Sequence, residues 1–250
     1  MKDEEQTMKR TLLGLSRGLM VWIVVGWAIS AHALSIDTMV LVSGQNPDGD
    51  AFTLTNNTQE PVFIRTELAR LDIRNNQSHE TPLNRDNLAQ WTMTLDPALF
   101  ILDPGESRKV NLRPLTEAAS RLHDDVYAVS FVPQAQKTGM SDVDSMNLQV
   151  GFRAFYIVPA GRSEMKYQLD YDRRSGQLTL DNRGNTALFA VLDQCGNGVR
   201  EQPEQPCSMT FLALAGRVKQ FEVPEWLRGP KMEFEVQNHD KSYRQKEERK

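Results

Sequence analysis

Between Leu34 and Gln237 the apolar residues of this chain come in short runs with a period of two, and each run ends in turn residues. A period of two sends successive side chains to opposite faces of an extended strand. A helical layer would need apolar positions about every 3.6 residues over longer stretches. The spacing therefore predicts an all-β chain. "LSIDTMVLVSG" opens the series, and "DAFTLTNNTQEPVFIRTELARLDI" reads as two strands about an Asn-Asn-Thr turn. "QWTMTLDPALFILDPGESRKVNLRP" holds a Pro-bounded strand, a Pro104-Gly105 turn and an alternating strand through Val110 and Leu112. In "DDVYAVSFVPQ" Val126, Ala128 and Ser130 share one face, and Tyr127, Val129 and Phe131 share the other. "RNNQSHETPLN" reads as a polar loop, and "LTEAASRLHDD" as the one short helix. Strands recurring at roughly 8–12 residues with turn signals indicate a β-sandwich or barrel.

At 250 residues the chain suits two such units. Pro159-Ala160-Gly161 reads as the hinge, and the strand-and-turn style resumes after it through "MKYQLDYD", "GQLTLDNRGNTALFAVLDQC", "SMTFLALAGRVKQFEVP" and "KMEFEVQN". "TLTNNTQEPVF" (53–63) and "TLDNRGNTALF" (179–189) begin Thr-Leu-x-Asn and end in Phe at equal spacing, which favours two similar domains. The last residues, 239–250, are almost all polar and read as a solvated tail.

The N-terminus reads differently. From Met8, Lys9, Arg10 and Arg17 precede an apolar run from Leu19 to Ile29, closed by Ala31-His32-Ala33. This is the pattern of a cleaved signal peptide over 1–33. An uncleaved anchor would want about 20 consecutive apolar residues. The acidic stretch before Met8 is foreign to such a signal, and initiation at Met8 instead of Met1 would remove it. Export opens an oxidising compartment to Cys195 and Cys207, for which a structural disulfide is the default reading. Zinc would want four ligands, and His239 is far off in sequence; a redox pair would more often be spaced C-x-x-C.

The formal net charge of −4 leaves no electrostatic footprint for nucleic acid. Beyond the signal the histidines are His79, His123 and His239; His123 sits beside two acidic residues, Asp124 and Asp125. That cluster reads as an acid/base candidate or as a solvated turn ahead of a strand. No G-x-S-x-G, H-E-x-x-H or phosphate-binding glycine loop is present, so the chain reads as a non-enzyme, with neither cofactor nor metal expected. Trp91 and Trp226 stand isolated, which gives little support to a carbohydrate-binding module.

The most unusual strand is "SMNLQVGFRAFYIVPAG" (145–161). Leu148, Val150 and Phe152 alternate with Gln149, Gly151 and Arg153; then Ala154 to Val158 is apolar on both faces. Together with "TLTNNTQEPVF", "LDPALFILDPGESRKVNLRP", "DVYAVSFVP" and "LTLDNRGNTALFAV" followed by two cysteines, its order along the chain resembles the periplasmic pilus-assembly chaperones of chaperone–usher systems. This is the PapD-like family, and the cysteine placement is closest to its alternate, CS1-type branch. The resemblance covers the mature chain and rests on order more than identity. It implies two immunoglobulin-like β-sandwich domains in tandem, 34–159 and 162–238.

It also implies a periplasmic protein that lends a strand to fimbrial subunits and delivers them to an outer-membrane usher, and it leaves self-association of the free protein open. Met146, Leu148, Val150 and Phe152 would then be the donated side chains. The family holds the subunit's terminal carboxylate with a basic pair. Arg153 fits one place, although the family more often has Lys there. The first strand offers neither Arg nor Lys for the other, which leaves three alternatives: the alignment is shifted there, Arg65 on the next strand substitutes, or the anchoring differs. The competing readings are an ordinary edge strand with Phe152 in its own core, a surface position for Arg65, and a structural pilus or surface-adhesion subunit for the whole chain.

Overall fold

The computed structural model describes residues 33–116, 121–134, 151–202 and 204–249. The chain divides into two compact units, Met1–Ala33 and Leu34–Lys250, and the second carries the fold. Its first half is ten strands: β1 (Leu34–Ile36), β2 (Val40–Val42), β3 (Ala51–Asn56), β4 (Val62–Arg74), β5 (Gln77–Leu83), β6 (Met93–Asp96), β7 (Leu99–Leu102), β8 (Ser107–Pro114), β9 (Asp125–Gln134) and β10 (Phe152–Val158). One sheet runs β1-β3-β8-β6 and the other β2-β10-β9-β4-β5, with β7 on the remaining stretch of β4. These are the ABED and GFC sheets of an immunoglobulin fold. The period of two is realised directly: Phe52, Leu54 and Asn56 of β3 are buried while the residues between them are not. Phe52 meets Phe131 edge-on across the core at 5.6 Å.

The second half is β11 (Tyr167–Asp172), β12 (Gln177–Asn182), β13 (Leu188–Asp193), β14 (Ser208–Ala213), β15 (Val218–Glu222), β16 (Met232–Gln237) and β17 (Arg244–Arg249). Its sheets run β11-β12-β15 and β14-β13-β16-β17, a second sandwich around Leu178, Leu180, Leu192, Phe211 and Phe234. The Cys195–Cys207 disulfide is formed beyond the end of β13.

The echo noted in the sequence is a shared hydrogen-bond motif. Asn56, fully buried, donates to the carbonyls of Glu60 at 2.8 Å and Leu102 at 3.0 Å and accepts from Thr58 N at 2.9 Å. Asn182 donates to Thr186 O at 2.8 Å and Ala213 O at 3.0 Å and accepts from Gly184 N at 3.0 Å. In both cases one side chain closes the turn between two core strands and ties it to the facing layer. The second turn also needs its glycine, because a Cβ on Gly184 would lie 2.3 Å from the Glu164 carbonyl.

Four expectations change. "LSIDTMVLVSG" is two strands, β1 and β2, in different sheets. "RNNQSHETPLN" is no loop: Asn75 and Asn76, both at positive φ, turn the chain into β5. β5 is an edge strand exposed over most of its length, so no apolar alternation marks it. Part of the helix candidate lies outside the described residues, and the rest, 115–116 and 121–125, is not helical; the helical pieces among the described residues are short 3₁₀ turns at Arg85–Gln90 and Glu225–Leu227.

The solvated tail over 239–250 is overturned as well, since β17 pairs along the whole of β16 and extends the second domain past 238. Its inner side chains are a polar ladder in place of an apolar stripe. Tyr167 Oη donates to Glu247 at 3.0 Å, and Arg249 pairs with Glu247 at 3.0 Å. Outside, Arg244 grips Glu235 and Lys246 grips Glu233, both at 2.7 Å. The bond from Lys246, then that from Lys231, holds the Glu233 carboxyl below its ordinary value of 4.5. A depressed carboxylate favours the folded strand above its unfolded pKa, and that contribution is lost as pH falls through the lowered value. Hydrogen-exchange protection of β17 amides is therefore expected to drop below about pH 4.5, ahead of β13. If β13 and β17 lose protection in parallel, these pairs do not hold the strand.

Candidate functional site

β10 answers why one strand is patterned in one half and apolar throughout the other. Phe152, Ala154, Tyr156 and Val158 face the core of the first sandwich. Phe155 and Ile157 point the opposite way, onto a second apolar cluster with Val40, Val42, Leu71, Val126 and Ala128. Ala187, Phe189, Leu212 and Leu214 of the second sandwich complete that cluster, so this part of the outer face of the GFC sheet is buried against the neighbouring domain. The neighbours along β10 change at the same place. β9 flanks it from Phe152 to Val158, whereas β2 pairs with it only from Phe155 to Ile157, in parallel. Over Phe152 to Ala154 no other described strand covers the second edge. The strand is interior in one half and an open edge in the other.

Of the side chains assigned to donation, Met146, Leu148 and Val150 lie outside the described residues. Phe152 is described: it is half-buried, stands opposite Phe131 and packs on its own core. Gly151, beside it, passes so close to β9 that a Cβ would sit 2.5 Å from the Phe131 carbonyl.

Arg153 sits at the switch, on the outer face, with half its side chain exposed. Arg65 is on the same face, where it pairs with Glu67 at 2.8 Å. Arg153 stands opposite Ser130 and Arg65 opposite Val132 on the intervening β9. Two strand spacings and one two-residue step put their Cα atoms about 12 Å apart. The two predicted basic residues are thus brought onto one face. Neither guanidinium is free, because Glu80 of β5 pairs with Arg153. Leu71 stands opposite Glu80 in the β4–β5 register and points into the interdomain cluster, so Glu80 shares that face.

Residues 36–159 match the family model of the CS5 fimbrial protein N-terminal domain. The matched stretch spans the first sandwich. The "uncharacterized 25.9 kDa protein in CS5 3′ region" of Escherichia coli is 27% identical over 168 residues, covering 66% of this chain and 71% of that protein. Among solved structures, the class 5 fimbriae chaperone CfaA covers 87% of this chain and 99% of its own at 12% identity and a TM-score of 0.45. A chain of the Salmonella enterica SafA pilin–SafB chaperone complex covers 89% and 98% at 10% identity and a TM-score of 0.49. In the order of its motifs the chain resembles the chaperone–usher pilus chaperones.

The first sandwich is fastened to the second by Asp124, which is no solvated turn. Its carboxylate accepts from Ala160 N at 2.9 Å in the hinge, and from Ala187 N at 2.7 Å and Thr186 Oγ1 at 3.1 Å beyond it. Burial pushes this carboxyl above its ordinary value, against the pull of those donors and of His239. Its backbone partners lie 36 and 63 residues away in sequence, so no local pattern announces the role. Asp125 pairs with Arg70 at 3.4 Å, and His79 and His123 are exposed, so the suspected acid/base cluster is divided among separate tasks. On the far side of the interface the tip of the β4–β5 hairpin docks through Asn76, which accepts from Val218 N at 2.8 Å and from Arg217. An exposed apolar patch lies on the outer face of the first sandwich. Leu99 (66% exposed) and Ile101 (43%) of the edge strand β7 stand beside Phe63 and Arg65.

Proposed function

We propose that this protein is a periplasmic chaperone that caps fimbrial subunits by lending them a strand and hands them to an outer-membrane usher. The observation that carries the reading is the changing environment of β10. Among the described residues its edge at Phe152–Ala154 is open, and the sequence just before it alternates through Met146, Leu148 and Val150. An open edge offers backbone donors and acceptors to another chain, and alternate side chains fill that chain's core. Each apolar side chain so buried contributes about 1.5–3 kcal/mol.

Phe152, already packed at home, acts as the base of the donated strand. Arg153, one residue on and facing outward, takes the subunit's terminal carboxylate in a bidentate grip. Arg65, on the same face, supports it. The disulfide fits an exported protein. A structural subunit would lack its closing strand. Here β10 and β17 each supply a last strand to a sandwich, which counts against that alternative.

The test is recovery of the tagged mature protein from the periplasm with whatever it holds. An equimolar partner of pilin size is expected. Recovery of the bait alone, or as self-polymers, would overturn the reading. Arg153→Ala is expected to weaken capture about 10- to 100-fold, the range for losing a charge-assisted pair, without unfolding the protein. Unchanged capture would remove Arg153 from the anchor role.

A further inference from the structure

We infer that Glu80 is a built-in competitor for Arg153, an internal carboxylate that an arriving carboxylate must displace. The inference rests on the reading of Arg153 as an anchor and adds what governs access to it. Three observations support it. Arg153 is engaged by Glu80. Both side chains are about half exposed, 47% and 46%, so the pair lies in water where another anion can reach it. Glu80 also sits on β5, an outermost strand of its sheet, so its carboxylate can swing into solvent without disturbing any strand beyond it. The hairpin that carries it is fixed at its tip to the second sandwich through Asn76, which keeps the competitor at a constant distance.

The chemistry follows from relative strengths. A half-exposed ion pair is weak, so Glu80 resists displacement only slightly. A stray anion with one carboxylate and nothing else gains little by replacing it. A chain end that brings a carboxylate and also pairs along the open edge of β10 gains both, and it wins. Glu80 would thereby select against free anions and for ligands that also supply a strand, a repulsive element acting beside the attractive one.

The experiment uses the full mature protein and acetate as the carboxylate probe, at constant ionic strength maintained with chloride. The Arg153 side-chain Nε–Hε resonance is followed in the wild type, in Glu80→Gln and in Glu67→Gln as the control on the neighbouring pair. Removing the internal competitor is expected to move the Arg153 resonance before any acetate is added. It is also expected to lower the acetate concentration for half-response about two- to fivefold, the range an exposed pair supports. Glu67→Gln is expected to leave Arg153 unchanged. Identical Arg153 titrations in the wild type and Glu80→Gln would overturn the inference, whatever the protein captures in the periplasm. A two- to fivefold separation with acetate, without any tighter hold on a subunit, would leave Glu80 as the competitor and reject Arg153 as the subunit's anchor.

Discussion

Val150→Asp is expected to leave the protein folded and to abolish subunit capture. On the proposed mechanism this side chain enters another protein's core. A carboxylate there has no partner, and burying an unpaired charge costs several kcal/mol. A loss of 4 kcal/mol or more is about a thousandfold in affinity, enough to empty a pull-down. The neighbouring Phe152→Asp is a poorer test. Phe152 packs on its own sandwich opposite Phe131, so a charge there would disturb the fold as well as the capture. The check is a thermal midpoint by circular dichroism beside co-purification from the periplasm. Normal co-purification of Val150→Asp with a subunit would end the donor-strand assignment. A collapsed midpoint would assign Val150 to the protein's own core.

The second large effect is on stability. Asn182→Ala removes two donated bonds and one accepted bond at a site that is 1% exposed. The carbonyls of Thr186 and Ala213 and the amide of Gly184 would be left without their partner. Each unsatisfied buried group costs about 1–3 kcal/mol, and some relief by water brings the sum to about 3–5 kcal/mol. For a sandwich of this size that is a fall in midpoint of roughly 15–30 °C. Asn182→Asp would not rescue it, because a carboxylate can keep the Gly184 bond but faces the two carbonyls with no hydrogen to give. Calorimetry on the mature protein decides the matter. A shift of only a few degrees in Asn182→Ala would mean that the turn re-closes without the asparagine.

What was legible in the sequence divides along physical lines. Strands with one face in a core announced themselves, as β3, β9, β12 and β16 did through alternation, because burial of one face imposes a period of two. β5 and β17 were invisible for the converse reason. β5 is exposed over most of its length, and the inner face of β17 is the polar ladder of Tyr243, Gln245, Glu247 and Arg249, so neither needs apolar alternation. The division of the opening segment into β1 and β2 depends on which sheet each half joins, and the residues there are apolar on either side of the break. The asparagine echo was visible as a spacing, but its meaning needed the carbonyls of Leu102 and Ala213, which arrive from distant strands. Arg153 could be singled out because it interrupts an apolar strand. Glu80 could not, and Asp124 stood out only beside His123 and not for its interdomain role, since folding alone brings Arg153 to the first and the amides of Ala160 and Ala187 to the second.

The apolar cluster shared by the two sandwiches has a consequence for descent. Ile157 and Val126 on one side, and Ala187 and Leu212 on the other, form a seam of matched shapes. A recombination event at Pro159 that paired this first half with a foreign second half would join two sticky surfaces that had never been fitted to each other. The seam thus ties the fate of each sandwich to that of the other, since a change on one side must be accommodated by the side it packs against.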